Sequence, residues 1–232
     1  MILLVRWLLV GLFVVLSFPF LCVFMLVNPA KNKNLYVACR AYTLINKIFS
    51  VRVTVSGFDR ISDARPYIYV ANHQCNYDVL IVAEALKPGT VIVGKESLKW
   101  LPLVGQLYWL TGSLFIDRSN PRASIQSLRK VSKNIVANKT SLWIFPEGTR
   151  NKGADMLPFK TGAFRIAKDM GVGIIPVTIS PTVGDVDYSS LRATEVSIVA
   201  HQPIEAEVVA GMSSKELASY TRDIISNMIP IA

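Results

Sequence analysis

Residues 67–86, YIYVANHQCNYDVLIVAEAL, decide how this chain is built. The opening YIYVA is rich in aromatic and β-branched residues and suits a buried, pleated strand. A polar corner, Asn72-His73-Gln74-Cys75-Asn76, follows, and from about residue 77 apolar side chains recur at helical spacing. A strand that turns through a short polar corner into a helix is the unit from which α/β domains are made. Outward from it, β-branched runs at 51–55, 90–94, 113–117, 141–145, 174–179 and 195–200 read as further strands. Helical patterns lie at about 77–86, 121–138 and 161–170, the last stopped by Gly171. A final helix at about 214–228 opens with Ser213 and Glu216 in capping-box spacing and carries Leu217, Tyr220, Ile224, Ile225 and Met228 on one face. The expected fold is α/β: a largely parallel, mixed sheet of about seven strands flanked by helices.

The chain has 232 residues, 51% hydrophobic and 18% charged, which is too apolar for disorder. One long uncharged run, residues 7–30, excludes a polytopic transporter and is long enough to cross a hydrocarbon core of about 30 Å. It runs into Asn28-Pro29 without the small-residue site of a cleaved signal, so it reads as an N-terminal hydrophobic membrane-anchoring helix. Lys31, Lys33, Arg40 and Lys47 follow the run and only Arg6 precedes it, which places the downstream side in the cytoplasm. Pro19 leaves a kinked or re-entrant segment open beside a true span. The amphipathic stretch 35–50 suits either a helix along the membrane surface or a cap on the soluble part. The division expected is 1–50 as membrane-anchoring segment and 51–232 as the α/β domain on the cytoplasmic side.

The balance of 25 Lys+Arg against 16 Asp+Glu, net +9, calls for an anionic partner. Three cysteines, Cys22, Cys39 and Cys75, at unrelated spacings indicate a reducing compartment and no disulfide framework. Residues 94–112, GKESLKWLPLVGQLYWLTG, mix aromatics, leucines and lysines as an interfacial segment does, and a core helix would look alike. Residues 118–146 hold no acid but carry Arg118, Arg122, Arg129, Lys130, Lys133 and Lys139, a cationic face suited to acidic lipid headgroups.

No phosphate-binding glycine loop, dinucleotide fingerprint or serine-hydrolase elbow is present, and two histidines without paired cysteines make a poor metal set. His73 and Asp78 stand out. On one helix, positions five apart diverge by about 140°, but across a strand–helix corner they converge, and a carboxylate can then hold one imidazole nitrogen and leave the other as a base. Taken alone, His-x4-Asp is a weak signal and more often marks a structural histidine.

Three further pieces accompany it: GSLFIDR at 112–118, FPEGTR at 145–150 and IIPV at 174–177. Together with NHQCNYD at 72–78 they resemble the glycerolipid acyltransferase family, whose blocks read NHxxxxD, GxxFIDR, FPEGTR and a short strand with proline. The likeness spans roughly residues 50–200. Within the family, VANHQCNYD, VGKESLKWLPLVGQLYWLTG and PFKTGAF are most similar to the bacterial acyltransferases of lysophosphatidic acid.

The resemblance implies transfer of an acyl chain from acyl-CoA or acyl-ACP to the sn-2 hydroxyl of 1-acyl-sn-glycerol 3-phosphate, with phosphatidic acid as product. His73 is then the general base and Asp78 its orienting carboxylate. Arg118, Arg150 and Lys160 are candidates for the substrate phosphate. Glu147, Gly148 and Thr149 shape the turn or contact the glycerol, and Lys95 and Trp100 line the acyl path. No cofactor or metal is implied. The partners expected are the lysolipid, the acyl thioester, acidic membrane lipids and the acidic acyl carrier protein, with no nucleic acid. The location expected is the bacterial inner membrane, catalytic domain on the cytoplasmic side.

Overall fold

A computed structural model of the chain describes residues 1–28, 31–117, 135–184 and 186–229. Among them are strands β1 Val51–Ser56, β2 Tyr67–Ala71, β3 Thr90–Lys95, β4 Leu114–Ile116, β5 Ser141–Ile144, β6 Gly173–Ile179 and β7 Thr194–Ala200. The helices are α1 Ile2–Val27, α2 Lys31–Tyr42, α3 Leu44–Ile48, α4 Asp78–Ala85, α5 Val104–Leu110, α6 Gly162–Met170, α7 Ala206–Gly211 and α8 Ser214–Ser226.

The strands lie side by side in the order β1-β7-β6-β2-β5-β3-β4. Every neighbouring pair is parallel except β6 and β7, so five strands share one direction and β1 and β7 run against them. β2 lies between β5 and β6, and all five of its residues are buried. Alternation along it divides the core. Tyr69 and Ala71 pack with Trp143, Ile175 and Val177 beneath Ile81 and Val82 of α4. Ile68 and Val70 pack with Leu142 and Ile174 against Phe164 of α6 and Leu217 of α8. Pro176 is tolerated inside the sheet because its carbonyl faces the His201 N–H, beyond the β7 ladder, where β7 requires no N–H from position 176.

The expected mixed α/β sheet is the sheet observed. The expected helix at 35–50 divides at Thr43 into α2 and α3, and residues 94–112 form a short 3-10 turn, Glu96–Trp100, before α5. The short α7 carries no clear sequence period and was not anticipated. Arg118, and the helix expected at 121–138 up to residue 134, lie outside the described residues.

α1 has 26 residues, roughly 39 Å of helix, and is long and apolar enough to cross a membrane by length and composition. One flank packs on the protein along the whole length. Trp7 meets Phe49 edge-on, Phe13 meets Tyr42, and Leu21 and Met25 sit with Ala38 and Leu110. Buried Asn34 closes the far end, accepting from Asn28 Nδ2 and donating to the carbonyl oxygens of Leu110 and Met25. The opposite flank, with Leu8, Leu12, Leu16 and Phe20, is exposed. Arg6 is not the flanking charge that the sequence led one to expect: it lies inside α1 and is 5% exposed, because the helix begins at Ile2 and turns this position onto the α/β body.

The chain leaves β1 through Gly57, whose φ is +80° and where an added Cβ would stand 2.1 Å from the Ala200 carbonyl oxygen at the end of β7. Gly57→Ala is expected to cost at least about 2 kcal/mol and to lower the melting temperature of the detergent-solubilised protein by about 4–8 °C, read by circular dichroism.

Candidate active site

β2, β5 and β6 are neighbours running in one direction, so their carboxyl ends lie together, which is where sites form in open α/β sheets. Asn72 pins the end of β2 to the end of β6. Its amide behaves as one more peptide, donating to the Ile179 carbonyl oxygen at 2.9 Å and accepting from the Ile179 N–H at 2.8 Å. Gln74 does the same one turn further on, donating to the carbonyl oxygens of Ile179 and Ser180 and accepting from the Thr182 N–H at 2.9 Å.

The chain reverses into α4, and Asp78 occupies its first turn, where the helix dipole favours a negative charge. Asp78 is fully buried. Its Oδ2 lies 2.8 Å from His73 Nδ1 and accepts from the N–H groups of Gln74, at 2.5 Å, and Cys75, at 2.9 Å. Its Oδ1 accepts from Thr182 Oγ1 at 3.2 Å and from the Cys75 thiol at 3.5 Å. Surrounded by donors, the carboxylate stays an acceptor, so Nδ1 of His73 carries the proton and Nε2 holds a lone pair. Nε2 has no hydrogen-bond partner among the described residues. The imidazole stacks on Phe145 with ring centres 4.2 Å apart.

The turn after β5 closes the corner from the other side. Glu147, 2% exposed, accepts from the His73 N–H at 2.6 Å through Oε1 and from the Leu157 N–H at 2.9 Å through Oε2. Burial pushes its carboxyl above the ordinary value, and the two N–H bonds offset part of that. Gly148 adopts φ +70°, and a Cβ there would stand 2.7 Å from Lys160 Nζ, so the glycine makes room for the lysine amine. Arg150, exposed, donates from Nη1 to Asn76 Oδ1, folding its guanidinium back across the corner. The Asn151 and Lys152 N–H groups donate to the carbonyl oxygens of His73 and Gln74.

The structure thus brings together His73, Asp78, Glu147, Gly148, Arg150 and Lys160. Thr149 is exposed on the same turn. Lys95 is exposed at the end of β3, and Trp100 is 79% exposed with Lys99 over its ring. Arg118 lies outside the described residues. Among the described residues no three His, Cys, Asp or Glu side chains gather as metal ligands would. Sequence reasoning assigned no role to Asn72, Gln74, Phe145 or Thr182. The first three sit inside quoted blocks, where an amide beside the key histidine was a usable signal. Thr182, more than a hundred positions from Asp78, carried none.

A buried His–Asp pair at the carboxyl ends of parallel strands, with Nε2 unpartnered among the described residues, has the groups that a general base needs. Residues 52–180 match the acyltransferase family, and the chain belongs to it: it is an acyltransferase. It is 37% identical over 210 residues to the 1-acyl-sn-glycerol-3-phosphate acyltransferase of Escherichia coli (strain K12), covering 89% of this chain and 84% of that one. The enzyme of the same name from Haemophilus influenzae is 40% identical over 162 residues, 70% of this chain and 68% of that one. In fold, the chain resembles the crystal structure of the 1-acyl-sn-glycerophosphate (LPA) acyltransferase PlsC from Thermotoga maritima, with a TM-score of 0.77 over 97% of this chain and 92% of that one at 22% identity.

Glu147→Gln offers one oxygen and one NH2 where two N–H groups need acceptors, so one buried donor is left facing another. The expected loss is about 1–3 kcal/mol of stability with the secondary structure kept, measured by denaturant unfolding.

Proposed function

We propose that this chain acylates the sn-2 hydroxyl of 1-acyl-sn-glycerol 3-phosphate from an acyl thioester, acyl-CoA or acyl-ACP, giving phosphatidic acid. The observation that carries this is the buried His73–Asp78 pair, on a corner to which Asn76 draws Arg150 and whose neighbouring turn holds Lys160, in a chain whose relatives bear that activity in their names.

His73 Nε2 takes the proton of the substrate hydroxyl as its oxygen bonds to the thioester carbonyl carbon. Asp78 stabilises the imidazolium that forms. The tetrahedral intermediate then collapses, the C–S bond breaks, and the imidazolium returns the proton to the departing thiolate. A thiol has a pKa of about 8.5, so this leaving group needs little acid assistance and one base suffices. The nucleophile belongs to the substrate, which accounts for a site built without a serine or cysteine nucleophile. No cofactor enters the scheme.

Arg150 and Lys160, with Arg118, bind the substrate phosphate; a guanidinium presents paired donors to an anion of this shape. Lys95 and Trp100 border the acyl path, with the exposed Leu101 and Trp109 facing lipid. The membrane placement that best suits α1 is along the surface of one leaflet. Both of its ends touch the same α/β body, and a helix crossing the bilayer would carry one end away from it. We place the protein on the cytoplasmic face of the bacterial inner membrane, held by the apolar flank of α1 and by the attraction of a net charge of +9 to acidic lipids. The same positive charge suits the acidic acyl carrier protein. Nucleic acid has no part in this reading.

The test is thiol release from acyl-CoA and acyl-ACP by detergent-purified protein, with and without lysophosphatidic acid. Release that requires the lysolipid, yields phosphatidic acid and falls by about a thousandfold or more in His73→Ala supports the reading. Release without the lysolipid would identify a thioesterase instead. Arg150→Ala is expected to raise KM for the phosphate-bearing acceptor by about tenfold or more while sparing neutral lysolipids. An equal effect on both would remove the phosphate role.

A further inference from the structure

Arg6 is the one charged residue within α1, and its surroundings do not explain it as a membrane anchor. The side chain is buried; Nη1 donates to the Tyr188 carbonyl oxygen at 2.7 Å and Nη2 to Ser50 Oγ at 2.6 Å. Hydrogen bonds from Ser189 and, in smaller part, the Arg6 charge hold the Asp187 carboxyl, next to Tyr188, below its ordinary value. An apolar residue would suit the helix and avoid burying a charge, so the gain lies in what the guanidinium holds.

What it holds is the connection between β6 and β7. Tyr188 sits on that connection, and its ring lies 5.1 Å from the ring of Tyr77 and 5.4 Å from that of Phe49. Trp7, next to Arg6, meets Phe49 edge-on at 5.1 Å. Tyr77 immediately precedes Asp78, and its hydroxyl donates to Asn46 Oδ1 at 2.9 Å. Nearer β6, the same connection carries Thr182, whose hydroxyl donates to Asp78 and whose N–H donates to Gln74. Thus the connection is fastened to α1 at one end and to the orienting carboxylate at the other.

We propose that Arg6 is a positioning residue of the active site: by holding the Tyr188 carbonyl it sets the β6–β7 connection, and through Thr182 and the Tyr188–Tyr77 contact it sets the orientation of Asp78 and His73. This rests on the general-base reading above. α1 is then part of the support of the catalytic pair as well as the membrane contact. Activity depends on it even in detergent, where attachment to a bilayer plays no part.

The experiment is a double-mutant cycle on the full chain in detergent micelles, with lysophosphatidic acid and acyl-CoA, comparing wild type, Arg6→Met, Thr182→Val and the double variant. Arg6→Met keeps the apolar stem and removes the donors. It is expected to lower kcat by about tenfold or more, with KM for acyl-CoA held within about twofold. Thr182→Val is expected to lose a similar factor, and the double variant to fall no further than the worse single one. An unchanged kcat in Arg6→Met, or a double loss equal to the product of the two singles, overturns the proposal. If near-ultraviolet circular dichroism shows Arg6→Met to be unfolded, Ser50→Gly replaces it. That change removes one acceptor at a residue whose φ of 56° suits glycine, and kcat should fall by about threefold with KM held; no fall overturns the proposal. Equal rates for wild type and His73→Ala would instead overturn the general-base reading and, with it, this one.

Discussion

The carboxylate of Asp78 takes hydrogen bonds from His73, from two backbone N–H groups, from Thr182 and from the Cys75 thiol while wholly shielded from water. Burying an ion costs several kcal/mol, and only a full set of donors with good geometry offsets that. Each donor must therefore be delivered to within a fraction of an ångström, and the architecture around the corner follows from the need. The amides of Asn72 and Gln74 bolt the end of β2 to β6, the Glu147 carboxylate fixes the His73 backbone, and the Asn151 and Lys152 N–H groups close the rim. A conventional strand–helix turn would bring fewer groups to one point.

The same constraint explains why two acidic residues in one corner differ in use. Asp78 accepts from the imidazole proposed as the base. Glu147 accepts only from backbone, and burial raises its carboxyl above the ordinary range, so its contribution is the shape of the turn on which Gly148 and Arg150 sit. The glycine lets Lys160 lie over the turn, and Asn76 draws Arg150 to it. Arg150 is thus drawn to the polar corner that carries His73, and Lys160 to the turn whose Glu147 holds the His73 N–H.

α1 extends this economy to the membrane. An apolar helix is usually read as a tether, independent of what it carries. Here one flank packs on Phe49, Tyr42 and Leu110 while the other is apolar and exposed, so the surface suited to lipid and the surface packed on the protein are two sides of one helix.

The amino-acid sequence by itself determined the strand periods, the helix caps at Ser213 and Gly171, the apolar run and the four blocks that carry the family likeness. These are local signals, readable because propensity and pattern act over a few neighbouring residues. His73 and Asp78 were legible for the same reason, being five residues apart. Only the tertiary structure decided that Thr182 completes the Asp78 shell, that Asn72 and Gln74 clamp β6, and that Arg6 belongs to the α/β body instead of the membrane flank. Those contacts join residues about a hundred positions apart or more, and which donor meets which acceptor across the sheet depends on register and helix rotation, which are set by packing and leave no local mark in the sequence.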